Sequence, residues 1–89
     1  MVDEKKPRIH ELKTEPQYFQ AVLDGHKRFE IRKNDRDFKV GDTLVLKEYN
    51  ADVHAFTGRK VEVTVTYMTD YAQQQGYLVL GIGGKVEIA

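Results

Sequence analysis

No cysteine occurs among the 89 residues, so neither a disulfide framework nor a thiolate metal cage supports the fold. That absence is compatible with a reducing cytoplasm. Long apolar runs are missing too, every one falling far below the roughly 18 residues of a membrane-spanning helix. The N-terminal MVDEKKP is charged rather than signal-like, and nothing in it points to export. Charge of one sign is also lacking, because 14 basic and 14 acidic side chains cancel. A balanced surface argues against non-specific grip on duplex DNA, so any nucleic-acid contact must come from local clustering. The three histidines are scattered with no H-x-x-H spacing, and no metal site or cofactor is expected. Repeats, low-complexity tracts and long linkers are absent. One small domain spanning 1–89 is expected, burying about 60–65% of its unfolded surface, with Met1–Lys6 as a flexible tail.

What is present is organised around Asp24–Asp42, DGHKRFEIRKNDRDFKVGD. Gly25 marks a break. Phe29 and Ile31 then alternate with Glu30 and Arg32, predicting a half-buried strand with its charges on the open face. Asn34-Asp35-Arg36-Asp37 is a turn-rich charged corner, and Val40-Gly41-Asp42 is a tight turn into the next strand.

Along the chain, Pro7–Lys13 is expected as a first strand anchored by Ile9 and Leu12. Pro16 opens a short helix to Asp24, since a proline at the first helical turn forfeits only an N–H that would be unpaired anyway. Phe19, Val22 and Leu23 form its apolar stripe, with Tyr18 at the edge, and Gly25 stops it. Asp42–Tyr49 is predicted as a strand and Asn50–Gly58 as a loop. Arg59–Thr69 alternates cleanly, with Val61, Val63, Val65 and Tyr67 on the core side. Asp70–Gly76 is a polar connection with room for one helical turn. Tyr77–Ile82 is a nearly continuous apolar strand, and Gly83-Gly84 is expected to turn into a last strand, Lys85–Ile88. These elements predict a mainly β, α+β fold: a small, mostly antiparallel barrel or strongly curved sheet with one or two short helices, one of them capping an end. Closure would remove exposed strand edges.

Gly25-His26-Lys27-Arg28-Phe29-Glu30-Ile31-Arg32 fits the G-x-K-x-x-E-x-R signature of ASCH domains, a branch of the PUA-like superfamily. His10-Glu11-Leu12-Lys13, Pro16, Phe19, Asn34–Phe38, Val40-Gly41-Asp42, Glu48-Tyr49, Thr57-Gly58-Arg59, Val65-Thr66-Tyr67 and Gly76-Tyr77 extend the match. From Arg8 to Ile82 the chain resembles the ASCH-related DUF3850 family of small bacterial and phage proteins. The resemblance implies a PUA-like β-barrel with a cleft between barrel and helix, lined by the signature residues and binding RNA or a nucleotide-like ligand. Some small ASCH proteins are amidohydrolases acting on N4-acetylcytidine through a lysine, a threonine three residues later and a distant glutamate. Lys27 matches that lysine, but Glu30 stands at the threonine position, and no serine or cysteine exists to replace it. The Asp70–Gln75 connection is also shorter than the insert of many relatives, which implies a more open pocket.

The residues themselves support two chemistries. Lys27 as a point charge and Arg32 as a planar fork suit a phosphate or a polar base edge, and Glu30 suits an exocyclic amine. Alternatively, Glu30 and Arg32 simply pair with each other on a solvated sheet face. His10 is a candidate general base beside Lys27 and Glu30, or a satisfied histidine at the core edge. His10, Lys13, Asn34 and Asp35 complete the candidate binding set, although an Asx turn explains the last two equally well. Tyr49, Tyr67, Tyr71 and Tyr77 offer stacking platforms or core packing, with Tyr67 assigned to the core. The leading expectation is a cytoplasmic, non-catalytic module binding RNA or a nucleotide around Lys27, Glu30 and Arg32. A nucleoside amidohydrolase and a protein-interaction domain are the alternatives.

Overall fold

The period-two alternation of Val61, Val63 and Val65 builds the longest strand of the computed structural model, which describes residues 6–88. The expected tail at Met1–Lys6 therefore lies, apart from Lys6, outside the described residues. The elements in chain order are β1 (Ile9–Thr14), α1 (Pro16–Leu23), β2 (Phe29–Lys33), β3 (Thr43–Asn50), β4 (Ala55–Thr69) and β5 (Tyr77–Ile88). The five strands form one sheet in the order β1-β3-β4-β5-β2, parallel between β1 and β3 and antiparallel elsewhere. The fold is thus mainly β with one short helix, as expected, curled into a half-barrel.

Side chains alternating along each strand fill the concave side. Leu12, Leu44, Leu46, Val61, Val63 and Leu80 meet there, and Phe19 and Val22 of α1 seal the same cluster. The helix starts at Pro16 and ends at Leu23 with Asp24 as its C-cap, after which Gly25 takes φ +78°, a left-handed conformation that suits glycine.

Several local expectations are corrected. Ile9 is 70% exposed and anchors nothing; His10, Leu12 and Thr14 are the inward residues of β1. The loop after β3 is shorter than predicted, because Tyr49 pairs with Phe56 and Asn50 with Ala55 across a tight turn. Tyr67 is 67% exposed rather than in the core. A register shift between Val65 and Tyr67 flips the alternation just where the valines end. No helical turn forms in 70–76. Gly83-Gly84 does not turn the chain either. β5 continues through it, since β4 is long enough to pair with the whole segment and a second register shift between Glu62 and Thr64 absorbs the glycines.

The edges of the curl, β1 and β2, share no backbone ladder. Side chains span the gap instead. Arg32 Nη2 donates to the carbonyl of Lys13 (3.0 Å) and Arg36 Nη1 to that of Glu11 (2.8 Å). These carbonyls lie two residues apart, on the same edge of β1, so two arginines blunt an edge that would otherwise be open for pairing.

Candidate functional site

The main correction concerns β2. Phe29 and Ile31, expected inside, are 41% and 53% exposed, whereas Glu30 is buried at 3%. As an edge strand β2 is held on one side only, by β5, where Glu30 pairs with Leu80 and Arg32 with Leu78. Those partners face the concave side, so the charged half of β2 points inward with them. A buried carboxylate needs cations and hydrogen bonds to offset its lost hydration, and Glu30 has both. Oε2 accepts from Lys27 Nζ at 2.7 Å; Oε1 accepts from Arg32 Nε at 3.0 Å and Nη2 at 2.9 Å.

Lys27 reaches this position because the chain leaves α1 through the left-handed Gly25, with the amides of His26 and Lys27 both donating to the Ala21 carbonyl. Its Nζ also donates to the Phe29 carbonyl at 2.7 Å, leaving one N–H unspent. Arg32 spends its remaining Nη2 capacity on Lys13 O and Thr14 Oγ1 (3.2 Å), while Nη1 has no hydrogen-bond partner among the described residues. Unspent donors therefore remain on both cations, whereas both Glu30 oxygens are occupied.

Above these groups opens a cleft of about 530 Å³ between β2 and the start of α1. Lys13, Thr14, Glu15 and Tyr18 line it from one side, and Lys27 with the residues of β2 from the other. Two aromatic rings stand beside the lysine, with Nζ 4.9 Å from the Phe29 centroid and 5.7 Å from that of Tyr18. Lys13 Nζ lies 4.4 Å over the Tyr49 ring. The Lys27–Glu30–Arg32 group carries one net positive charge, the balance that receives an anion.

Of the sequence-derived candidates, Lys13, Lys27, Glu30 and Arg32 come together in this cleft. His10, Asn34 and Asp35 do not line it. His10 is buried, its Nε2 2.7 Å from Asp42 Oδ2 and its ring edge-on to Phe38 with centroids 4.8 Å apart. Asp42 also accepts the backbone N–H groups of Arg8 and Lys39, each at 3.0 Å. Burial alone raises the Asp42 pKa, but the hydrogen bonds from Arg8, His10 and Lys39, with the His10 charge, outweigh it and hold the carboxyl below the usual aspartate value. This group staples β1 to the turn before β3. Asn34 and Asp35 are exposed turn residues, and the Asn34 amide donates to Gly76 O at 2.7 Å.

Beside Phe29 and Ile31, which were expected inside, Glu15, Thr14 and Tyr18 line the cleft without having been singled out for it. Thr14 is buried at 3% and presents its hydroxyl to Arg32; the signal was its place in the period-two series His10, Leu12, Thr14. Tyr18, 46% exposed, sits one position before the buried Phe19 and projects over the cleft instead of the core. Among the described residues no cluster of three metal-ligating side chains occurs.

Fold and site together define a small, curled β half-barrel domain with a cationic cleft flanked by aromatic rings. The chain belongs to the family described as domain of unknown function DUF3850, whose model matches residues 9–82. It is also similar to an uncharacterized 12.9 kDa protein in the GpA 3′ region of Escherichia phage P2, with 52% identity over 63 residues. That match covers 71% of this chain and 56% of the phage protein, so the chain spans little more than half the relative's length.

Proposed function

We propose that this protein is an ASCH-type, PUA-like module acting in the cytoplasm, and that its cleft binds RNA or a nucleotide-like small molecule without turning it over. One observation carries the reading: two cations with unspent donors, fixed on a buried carboxylate, lie beside two exposed aromatic rings. Arg32 Nη1 and the remaining Lys27 N–H supply charge-assisted donors for a phosphate or a polar base edge. Tyr18 and Phe29 supply the faces on which an unpaired base stacks. Glu30 acts as a positioning residue, because its oxygens are already committed to the two cations.

The amidohydrolase reading is favoured by one feature, the Thr14 hydroxyl beside Arg32 in the same cleft. A threonine nucleophile needs a base to take its proton. The recorded partners of Oγ1 are a guanidinium and, at 3.5 Å, the Leu12 carbonyl.

The test is an NMR titration of labelled protein with short single-stranded RNAs, cytidine, N4-acetylcytidine and their monophosphates, with the same samples assayed for product. Shifts centred on Tyr18, Lys27 and Arg32 without product support a binding module. Product formation replaces it with the hydrolase. Spectra that stay still for every ligand remove both and leave a polypeptide partner.

A further inference from the structure

Next to the candidate cleft lies a second, smaller one of about 180 Å³. Lys27 lines both, forming the ridge between them. The second cleft adds Arg28 and Lys85 on its walls, with Gly83 and Gly84 along β5, and no carboxylate side chain is among its lining residues. Its apolar wall is aliphatic, from Val22, Val63 and Ile82, with no aromatic ring. Stacking therefore has no platform here, and the volume is below the roughly 300 Å³ at which small-molecule pockets begin. Cations without a counter-charge, in a space too small for a nucleoside, suit a phosphate group.

Both cations have a structural duty that leaves donors over. Arg28 Nε donates to the Gly25 carbonyl at 3.0 Å and Lys85 Nζ to the Leu23 carbonyl, each satisfying a carbonyl near the end of α1. The terminal guanidinium nitrogens of Arg28 have no hydrogen-bond partner among the described residues, and Lys85 keeps further N–H groups. Gly83 leaves the backbone of β5 bare toward the cleft. An added Cβ at Gly83 would meet Thr66 Cγ2 at 3.4 Å, and Thr66 does not line the cleft, so only the backbone of Gly83 faces it.

We propose that the ligand is an oligonucleotide rather than a mononucleotide, and that the second cleft holds the phosphate adjoining the nucleotide seated in the first. This rests on the nucleotide-binding reading above. The base stacks on an exposed ring of the first cleft, the strand crosses the Lys27 ridge, and its next phosphate settles between Arg28 and Lys85. The second cleft supplies local positive charge that the neutral chain as a whole does not.

The experiment measures affinities of the four nucleoside 5′-monophosphates and of mixed-sequence single-stranded RNA tetranucleotides for three forms: wild type, Arg28→Gln/Lys85→Gln, and Tyr18→Ala. Glutamine retains an amide donor for the Gly25 and Leu23 carbonyls, and thermal melts check the fold. Tetranucleotides are expected to bind wild type more tightly than monophosphates. The double substitution is expected to weaken tetranucleotide binding about tenfold or more. It should also flatten the log–log salt slope by about 0.7, and leave monophosphate affinity unchanged. If Tyr18→Ala weakens binding but the double substitution does not discriminate between ligand lengths, this inference is overturned and the single-cleft reading stands. If no nucleotide of either length binds wild type, both fall together.

Discussion

Truncating Glu30 would leave Lys27 and Arg32 facing a cavity with no anion between them. The carboxylate is nearly inaccessible while the cations keep 17% and 24% of their side-chain exposure, so water softens part of the loss. Glu30→Ala is expected to cost about 2–4 kcal/mol in urea unfolding, and Glu30→Gln, which keeps one acceptor, clearly less. Equal losses would mean that charge, not hydrogen bonding, holds the group. Asp42 has the opposite task, being structural and away from the cleft. Its folded pKa lies below its unfolded one, so it stabilises the fold above the unfolded value of about 3.9, and that contribution disappears as pH falls through the folded value. Asp42→Asn should therefore cost about 2–3 kcal/mol at neutral pH and converge on wild type only as pH falls through the lowered folded value of the carboxyl, in unfolding midpoints followed against pH. A constant gap at all pH values would show that the charge of Asp42 is immaterial. At this scale the grouping of Lys27, Glu30 and Arg32 was legible from their spacing. The fate of His10 was not, because its partner Asp42 is 32 positions away.

Among elements, the seam between β1 and β2 depends on side chains where a closed barrel would use a ladder. Arg32 serves the seam and the cleft at once, binding Glu30 Oε1 from two nitrogens while Nη2 reaches Lys13 O and Thr14 Oγ1. A lysine carries the charge but not the fork. Arg32→Lys is expected to cost about 1 kcal/mol and to speed amide hydrogen exchange in β1 more than in β4, with the core otherwise unchanged. Uniform exchange across the sheet would argue against a side-chain seam. The helix, its proline start and its glycine stop followed from local chemistry, as did the valine face of β4. Tyr67 and Gly83-Gly84 did not, because register shifts belong to the pairing of two strands and leave no mark on either one alone.

For the molecule as a whole, zero net charge limits what electrostatics can contribute to binding. If RNA binds through the cleft alone, about one phosphate is neutralised and the log–log salt slope should be near −0.7; a second phosphate site brings it to about −1.4. Filter-binding or fluorescence titrations between 50 mM and 200 mM salt, about the usual range, read this directly. A slope several-fold steeper would require a basic surface beyond the two clefts.

The amino-acid sequence by itself determined the order of the strands and the helix, the valine face that β4 turns to the core, and which charges gather after Gly25. Those are consequences of side-chain period and turn chemistry, both of which act over a few neighbouring residues. Tertiary structure alone decided which face of β2 turns inward. A five-residue edge strand alternating charged and apolar side chains satisfies the pattern either way round. The choice falls to what waits on the concave side: Lys27 arriving from the helix end and Thr14 with the Lys13 carbonyl on β1 give Glu30 and Arg32 partners there. Phe29 and Ile31 are left at the rim, and that inversion turns a solvated row of charges into a cleft.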